Sequence, residues 1–204
     1  MHETVEEMEV LTGKGSIVAC SPCMNQDLFF GFPNSYGTLG YALRLTIRLV
    51  PAKPYVHLTH VRFSEPGGFF AHLAELSDRC DPDFLDGTIF GKDELYVNQA
   101  AFSDDAPWVS DYTYMDIYYR SIQQKQSDWL TSKGYIWRWD TDWFWCSKHF
   151  GVQKRAIRFF AKPALNSRTY ERLMRLSQRL LPLCPTIESV IQDVQIPIEN
   201  APSF

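Results

Sequence analysis

Apolar and polar residues alternate most clearly over residues 42–50. Leucine or isoleucine stands at positions 43, 45, 47 and 49, and Arg44, Thr46 and Arg48 stand between them. A period of two is typical of a β-strand with one face against a core and the other toward water. The sequence therefore predicts a strand here, with its leucine face buried.

The same reasoning predicts the other elements. Residues 55–63 alternate like a second strand, and the segments 5–21 and 84–102 have the pattern of hairpins with central glycines. Apolar residues three and four positions apart predict helices over residues 66–80 and 166–181. A short helix is predicted over residues 25–32, with Asn25 as its cap, and Ser167 is predicted to cap the last helix. A final strand is predicted over residues 187–198.

Prolines at positions 51 and 54 interrupt the chain between two predicted strands. Because proline cannot donate a hydrogen bond to a sheet, this segment predicts a domain exit. We expect one domain over residues 1–52 and a second over residues 53–204. The second contains strand, helix, strand and strand in that order, which predicts an antiparallel sheet covered by helices in an α+β layer.

Composition and charge exclude several classes of function. The 204 residues are 45% apolar, which is enough for a real core, and the formal net charge is -4. A nucleic-acid-binding surface would need a basic stripe, so we expect no nucleic-acid partner. No apolar run approaches the ~18 residues that a membrane span requires. The acidic N-terminus does not resemble a signal peptide, and the unpaired cysteine pattern predicts a reducing, cytoplasmic location without a metal site.

Two stretches could carry chemistry. The segment 34–41 holds Gly37 and Gly40, whose spacing allows a tight turn that brings main-chain groups close to a ligand. The segment 108–145 is dense in tryptophan and tyrosine. Such a cluster could wall a pocket for a flat apolar substrate such as a sterol, or form the core of the second domain.

The charged residues permit only structural interpretations. His57 and His60 are three apart on a predicted strand, so they point to opposite faces and cannot bind one metal; each is expected to be exposed or at an edge. Arg138 is expected to form a structural ion pair with Asp140 and Asp142. The basic segment 148–162 is expected to be a solvated face.

Residues 27–41 (DLFFGFPNSYGTLGY), with the strand and the segment PAKPYV that follow, resemble one group of flavoproteins. The group is the vanillyl-alcohol oxidase / p-cresol methylhydroxylase (PCMH) superfamily, and the resemblance is strongest to its delta-24-sterol reductase-like branch. The segments YYRSI at 118–122, WRWDTDWFWCS at 137–147 and QDVQIPI at 192–198 also resemble that branch. The resemblance extends over nearly the whole chain.

The resemblance implies an FAD-dependent oxidoreductase that transfers a hydride between the flavin and an apolar or alcohol substrate. It implies that residues 1–52 are the C-terminal part of a PCMH-type FAD-binding domain and that residues 53–204 are a cap domain, incomplete at its C-terminus. The residues expected to touch FAD are Gly37, Thr38, Leu39, Gly40 and Tyr41. Tyr118, Tyr119 and Arg120 are candidate proton donors, and nothing in the sequence ranks them.

The phosphate-binding N-terminal half of such flavoproteins has no counterpart here, so we expect a piece of a larger flavoprotein. A separate FAD-binding half is then an expected partner, and the chain alone is expected to be inactive. The other hypothesis is a non-catalytic module that binds a partner or an apolar ligand through its aromatic residues. A missing half would leave a sheet edge unpaired, which predicts self-association.

Overall fold

The computed structural model describes residues 4–143, 148, 151–180 and 196–203, with backbone only for 177–180. The chain divides into two compact units, residues 1–51 and 52–204. Unit 1 contains three strands and one helix. They are β1 (Val5–Leu11), β2 (Ile17–Cys20), α1 (Gln26–Gly31) and β3 (Tyr41–Ile47).

Unit 1 is built on a small antiparallel sheet in the order β2-β1-β3. Its core contains Val10, Cys20 and Phe29, all with no exposed surface. Phe29 comes from α1, so this short helix packs on the sheet. The predicted cap of α1 is wrong, because the side-chain nitrogen of Asn25 donates to the Ala19 carbonyl instead of closing the helix.

The predicted burial of β3 is also wrong. The strand forms, but every one of its residues is exposed, and Leu43, Leu45 and Ile47 each keep about half of their surface open. β3 is an edge strand, so only β1 lies beside it. A bulge opposite Glu9 and Val10 further disturbs the alternation. The strand therefore presents apolar side chains that no described residue covers.

Unit 2 is built on a four-stranded antiparallel sheet in the order β5-β6-β4-β7. Its strands are β4 (Tyr55–Phe63), β5 (Phe84–Gly91), β6 (Glu94–Ser103) and β7 (Ser127–Thr131). Its helices are α2 (Pro66–Arg79), α3 (Tyr118–Gln124), α4 (Ser132–Ile136), α5 (Arg155–Ala161) and α6 (Ser167–Leu180). Antiparallel sheets packed with helices confirm the predicted α+β class.

Helix α2 covers one face of this sheet. It begins where the Glu65 carboxylate accepts the Gly68 N–H at 3.1 Å, and Pro66 occupies the first turn. Phe69 packs with Leu95 and Val97 in a buried cluster. A Cβ atom at Gly87 would come within 2.6 Å of the Phe69 ring, so only glycine allows this close approach of helix and strand. The predicted helix and hairpin are confirmed here.

The opposite face is covered by residues that follow β6. Its core packs Leu58, Ala100 and Leu130 of the sheet against Tyr118 and Ile122 of α3. Burying large aromatic side chains supplies much of the stabilisation of such a layer. The sheet of unit 2 thus has cores on both of its faces.

The last helix and strand depart from prediction or lie outside the description. Asn166 caps α6, since its side-chain oxygen accepts the Thr169 N–H at 2.9 Å, whereas the Ser167 hydroxyl donates to Asp140. Leu173 and Leu176, predicted to be buried, are half exposed. Residues 181–195, which hold most of the predicted final strand, lie outside the described residues.

Candidate functional site

The glycine loop connects α1 to β3 and folds through its own hydrogen bonds. The N–H groups of Ser35, Thr38 and Gly40 donate to carbonyls within residues 32–37, and the Thr38 hydroxyl donates to the Ser35 carbonyl at 2.7 Å. Tyr36 has a φ of 50° and Gly37 a φ of 81°, in the left-handed region. These successive bends turn the loop outward before β3 begins.

The two glycines have different reasons to be glycine. A Cβ atom at Gly40 would lie 2.2 Å from the Leu11 carbonyl oxygen, and its φ is 128°. Gly40 is buried, and it is required by the approach of the loop to β1. A Cβ atom at Gly37 would meet only the Tyr41 ring, at 3.8 Å, which is an ordinary contact. Gly37 therefore leaves space that nothing in unit 1 uses.

The outer side of the loop is open. Tyr36 is 90% and Tyr41 70% exposed, and Thr38 and Leu39 are exposed as well. Among the described residues, nothing accepts a hydrogen bond from the N–H groups of Tyr36, Gly37 and Leu39. Exposed main-chain donors beside an aromatic ring can hold a flat or anionic ligand. Of the five predicted site residues, Gly37, Thr38, Leu39 and Tyr41 share this open surface and Gly40 lies beneath it.

The aromatic segment in unit 2 is mainly core. Tyr112, Tyr118, Tyr135 and Trp143 are each at most 6% exposed. The first three pack in the cluster that covers the sheet. Trp108 and Trp137 are more than half exposed. Residues 144–147, the end of the tryptophan-rich motif, lie outside the described part of the chain. The alternative of a structural core thus accounts for the buried members of this segment.

A polar strip crosses the face that the aromatic residues cover. His60 Nδ1 lies 2.8 Å from the Asn98 side-chain oxygen, and the Asn98 nitrogen donates to Asp86 at 2.6 Å. Asp86 pairs with Arg138 at 3.1 Å. His60, Asn98 and Asp86 are register partners on three adjacent strands, which places their side chains on one face. This strip joins residues that are distant in the sequence.

Two predictions about charged residues are corrected by this strip. His60 is buried rather than exposed, because it lies on the core face of a central strand. Burial lowers the pKa of His60 despite the hydrogen bond to Asn98. Arg138 pairs with Asp86 rather than with Asp140 or Asp142, and its guanidinium lies over the Tyr135 ring at 3.9 Å.

The carboxylate expected to pair with Arg138 has another partner. Asp142 pairs with Arg158 at 2.7 Å, and neither side chain is more than 1% exposed. Arg158 also donates to the carbonyls of Tyr114 and Asp116. The segment 148–162 is thus not entirely a solvated face, since one of its arginines is a buried anchor.

A second buried carboxylate organises the start of β7. Asp128 accepts hydrogen bonds from Ser110, Tyr112 and Lys125. Burial opposes the charge, yet these hydrogen bonds hold the pKa of Asp128 below its usual range. Burial and the nearby carboxylate raise the pKa of Tyr112. The cluster fixes Lys125, whose ammonium also contacts the Ser110 hydroxyl at 2.8 Å.

The three candidate proton donors lie in different environments. Tyr118 is 1% exposed, and burial raises the pKa of its hydroxyl, which makes it a weaker acid. Tyr119 is half-buried and Arg120 is exposed. None of the helices among residues 4–143, 151–180 and 196–203 is long and apolar enough to cross a membrane.

Comparison with known proteins places this chain among oxidoreductases. No family model matches the sequence. Human delta(24)-sterol reductase is 37% identical over 101 residues, which is 48% of this chain and 19% of that protein. Cytokinin dehydrogenase 3 of Arabidopsis thaliana is 37% identical over 89 residues, which is 42% of this chain and 16% of that protein. This chain is homologous to these enzymes.

The homologous match is partial. The chain spans about a fifth of the length of the curated relatives it matches. Among solved structures, the carbohydrate oxidase from Microdochium nivale overlaps 66% of this chain and 30% of its own, with 15% identity and a TM-score of 0.42. That score is too low to carry an argument about the site, so the sequence relationship is the informative comparison.

Proposed function

We propose that this chain is part of an FAD-dependent oxidoreductase that transfers a hydride between the flavin and an apolar or alcohol substrate. The observation that carries the proposal is its homology to both a reductase and a dehydrogenase. Residues 1–52 would be the C-terminal part of the FAD-binding domain, and residues 53–204 would be the cap over the substrate. The chain would act in the cytoplasm with a separate FAD-binding half.

The glycine loop fits the cofactor. The N–H groups of Tyr36, Gly37 and Leu39 are available to phosphate or flavin oxygens, and the exposed Tyr41 ring offers a flat apolar surface beside them. Thr38 and Leu39 would complete the contact, and Gly40 would support it by holding the loop against Leu11. When bound, FAD supplies the hydride acceptor or donor, while the chain binds and orients it.

One observation favours a second function. Leu43, Leu45 and Ile47 of β3 stay about half exposed along an edge strand. Apolar side chains on a sheet edge favour association with another polypeptide. A module that binds a partner or an apolar ligand without catalysis would use this strand or the aromatic residues, and it would need no flavin.

The test is a titration of the purified chain with FAD, followed by flavin fluorescence. Gly37→Ala is the informative variant, because a Cβ atom would enter the open space beside the loop donors. Gly15→Ala is the matched control, since Gly15 has a φ of 77° and nothing within 4 Å of an added Cβ. Both changes strain a left-handed backbone equally, but only one lies at the proposed site.

We expect the chain to bind FAD and Gly37→Ala to raise its Kd about tenfold, which corresponds to the loss of roughly one hydrogen bond. Gly15→Ala should bind FAD like the original chain. If neither the chain nor its variants perturb flavin fluorescence, while an apolar ligand quenches the tryptophans, the non-catalytic function is supported instead. Equal losses in the two variants would mean that the effect comes from backbone strain.

A further inference from the structure

Unit 2 contains a cavity of about 290 Å³ away from the glycine loop. It lies beside α3, between the loop that precedes this helix and the start of α5. Tyr112, Ile117 and Ser121 form buried parts of its wall. The volume is close to the lower end of the range for small-molecule sites in proteins, so the cavity suits a small ligand.

Cationic side chains dominate the lining. Arg120, Lys125 and Arg155 line the cavity, and Asp116 is the acidic residue beside them. Lys125 is already neutralised, because its ammonium lies 3.0 Å from the buried Asp128 carboxylate. The cavity's unused positive charge is therefore that of the two arginines.

Both guanidinium groups are available. Arg120 and Arg155 are exposed, and within the described part of the chain no carboxylate lies within ion-pair distance of either. The contrast with Arg158 is clear, since that arginine is buried and paired with Asp142 at 2.7 Å. Two unpaired guanidinium groups at one cavity leave ten N–H donors in planar forks that match carboxylate and phosphate oxygens.

We propose that this cavity binds a small molecule that carries a carboxylate or a phosphate group. Arg120 and Arg155 hold its oxygens, and Lys125 stays in place through Ser110, Tyr112 and Asp128 to define the polar floor. Ile117 gives the rest of the molecule an apolar contact. The site lies within unit 2 and does not depend on flavin binding.

Titration calorimetry at low ionic strength tests the proposal with two probes, inorganic phosphate and succinate, added separately without FAD. Low salt is needed because exposed charges are screened at higher ionic strength. The variants are Arg120→Gln and Arg155→Gln. Arg168→Gln is the matched control, because Arg168 is also exposed in unit 2 and does not line the cavity. Thermal unfolding of each variant checks that the fold is kept.

We expect saturable binding of at least one probe, and the tighter of the two identifies the oxyanion. Each cavity variant should raise the Kd about tenfold, because a hydrogen bond to a charged group is lost, and Arg168→Gln should leave it unchanged. Gly37→Ala should also leave it unchanged, which separates this site from the proposed flavin site. The proposal is overturned if neither probe binds, or if the three glutamine variants weaken binding equally.

Discussion

Strands β3 and β4 carry almost the same alternation of apolar and polar residues, but they occupy different environments. Leu58 of β4 is 1% exposed, whereas Leu45 of β3 is 51% exposed. β4 lies between β6 and β7 in a sheet that is packed on both faces, and β3 is the edge of a three-stranded sheet. The comparison shows that alternation encodes a strand, while neighbouring elements decide whether its apolar face is covered.

The strongest test of this comparison is the same substitution in each strand. Leu58→Ala removes methyl groups from a closed core, so we expect it to cost about 2–5 kcal/mol. Leu45→Ala removes half-exposed surface and should cost less than about 1 kcal/mol. Urea unfolding, with hydrogen exchange of the β3 and β4 amides, assigns each loss to its unit. An equal loss at Leu45 would show that β3 is covered in solution.

Gly40 tests how unit 1 holds its edge strand with so small a core. An added Cβ atom would meet the Leu11 carbonyl and would also strain a φ of 128°, so Gly40→Ala should cost about 3 kcal/mol. Gly37→Ala makes no close contact and should cost about 1 kcal/mol through backbone strain alone. Thermal unfolding measures both. Equal costs would mean that the loop separates from β1 without difficulty.

Local patterns were sufficient for much of the fold. The start of α2 could be predicted because Pro66 and the spacing of Phe69 and Leu76 act within one helix. The hairpin of β5 and β6 could be predicted because its turn residues are adjacent in the sequence. Such elements depend on neighbours a few residues away, which the sequence displays directly.

The candidate site could be predicted only in part, because its other determinants are distant in the sequence. The open loop around Gly37 follows from small residues that stand together. The reason for Gly40 lies in Leu11, and His60 is buried because strand register brings Asn98 beside it. The cavity needs Arg120 and Arg155 to meet across two helices. No local pattern carries these pairings.

Acid provides the most subtle test of the covered sheet in unit 2. Burial lowers the pKa of His60 below its ordinary value of 6.5, although Asn98, Asp86 and Asp128 favour the charged form and Arg138 opposes it. The unfolded chain therefore binds a proton near pH 6.5 that the folded chain does not. Stability that is present above this pH is lost as the pH falls below it.

His60→Gln removes this titration and keeps a polar side chain on β4. We expect its free energy of unfolding to fall less steeply than that of the original chain as the pH is lowered from 7 to 5. Leu58→Ala is the control, because it destabilises the same face of the same strand and should keep the original slope. Urea unfolding at each pH gives the slopes. If His60→Gln keeps the original slope, the acid sensitivity of this sheet comes from another group.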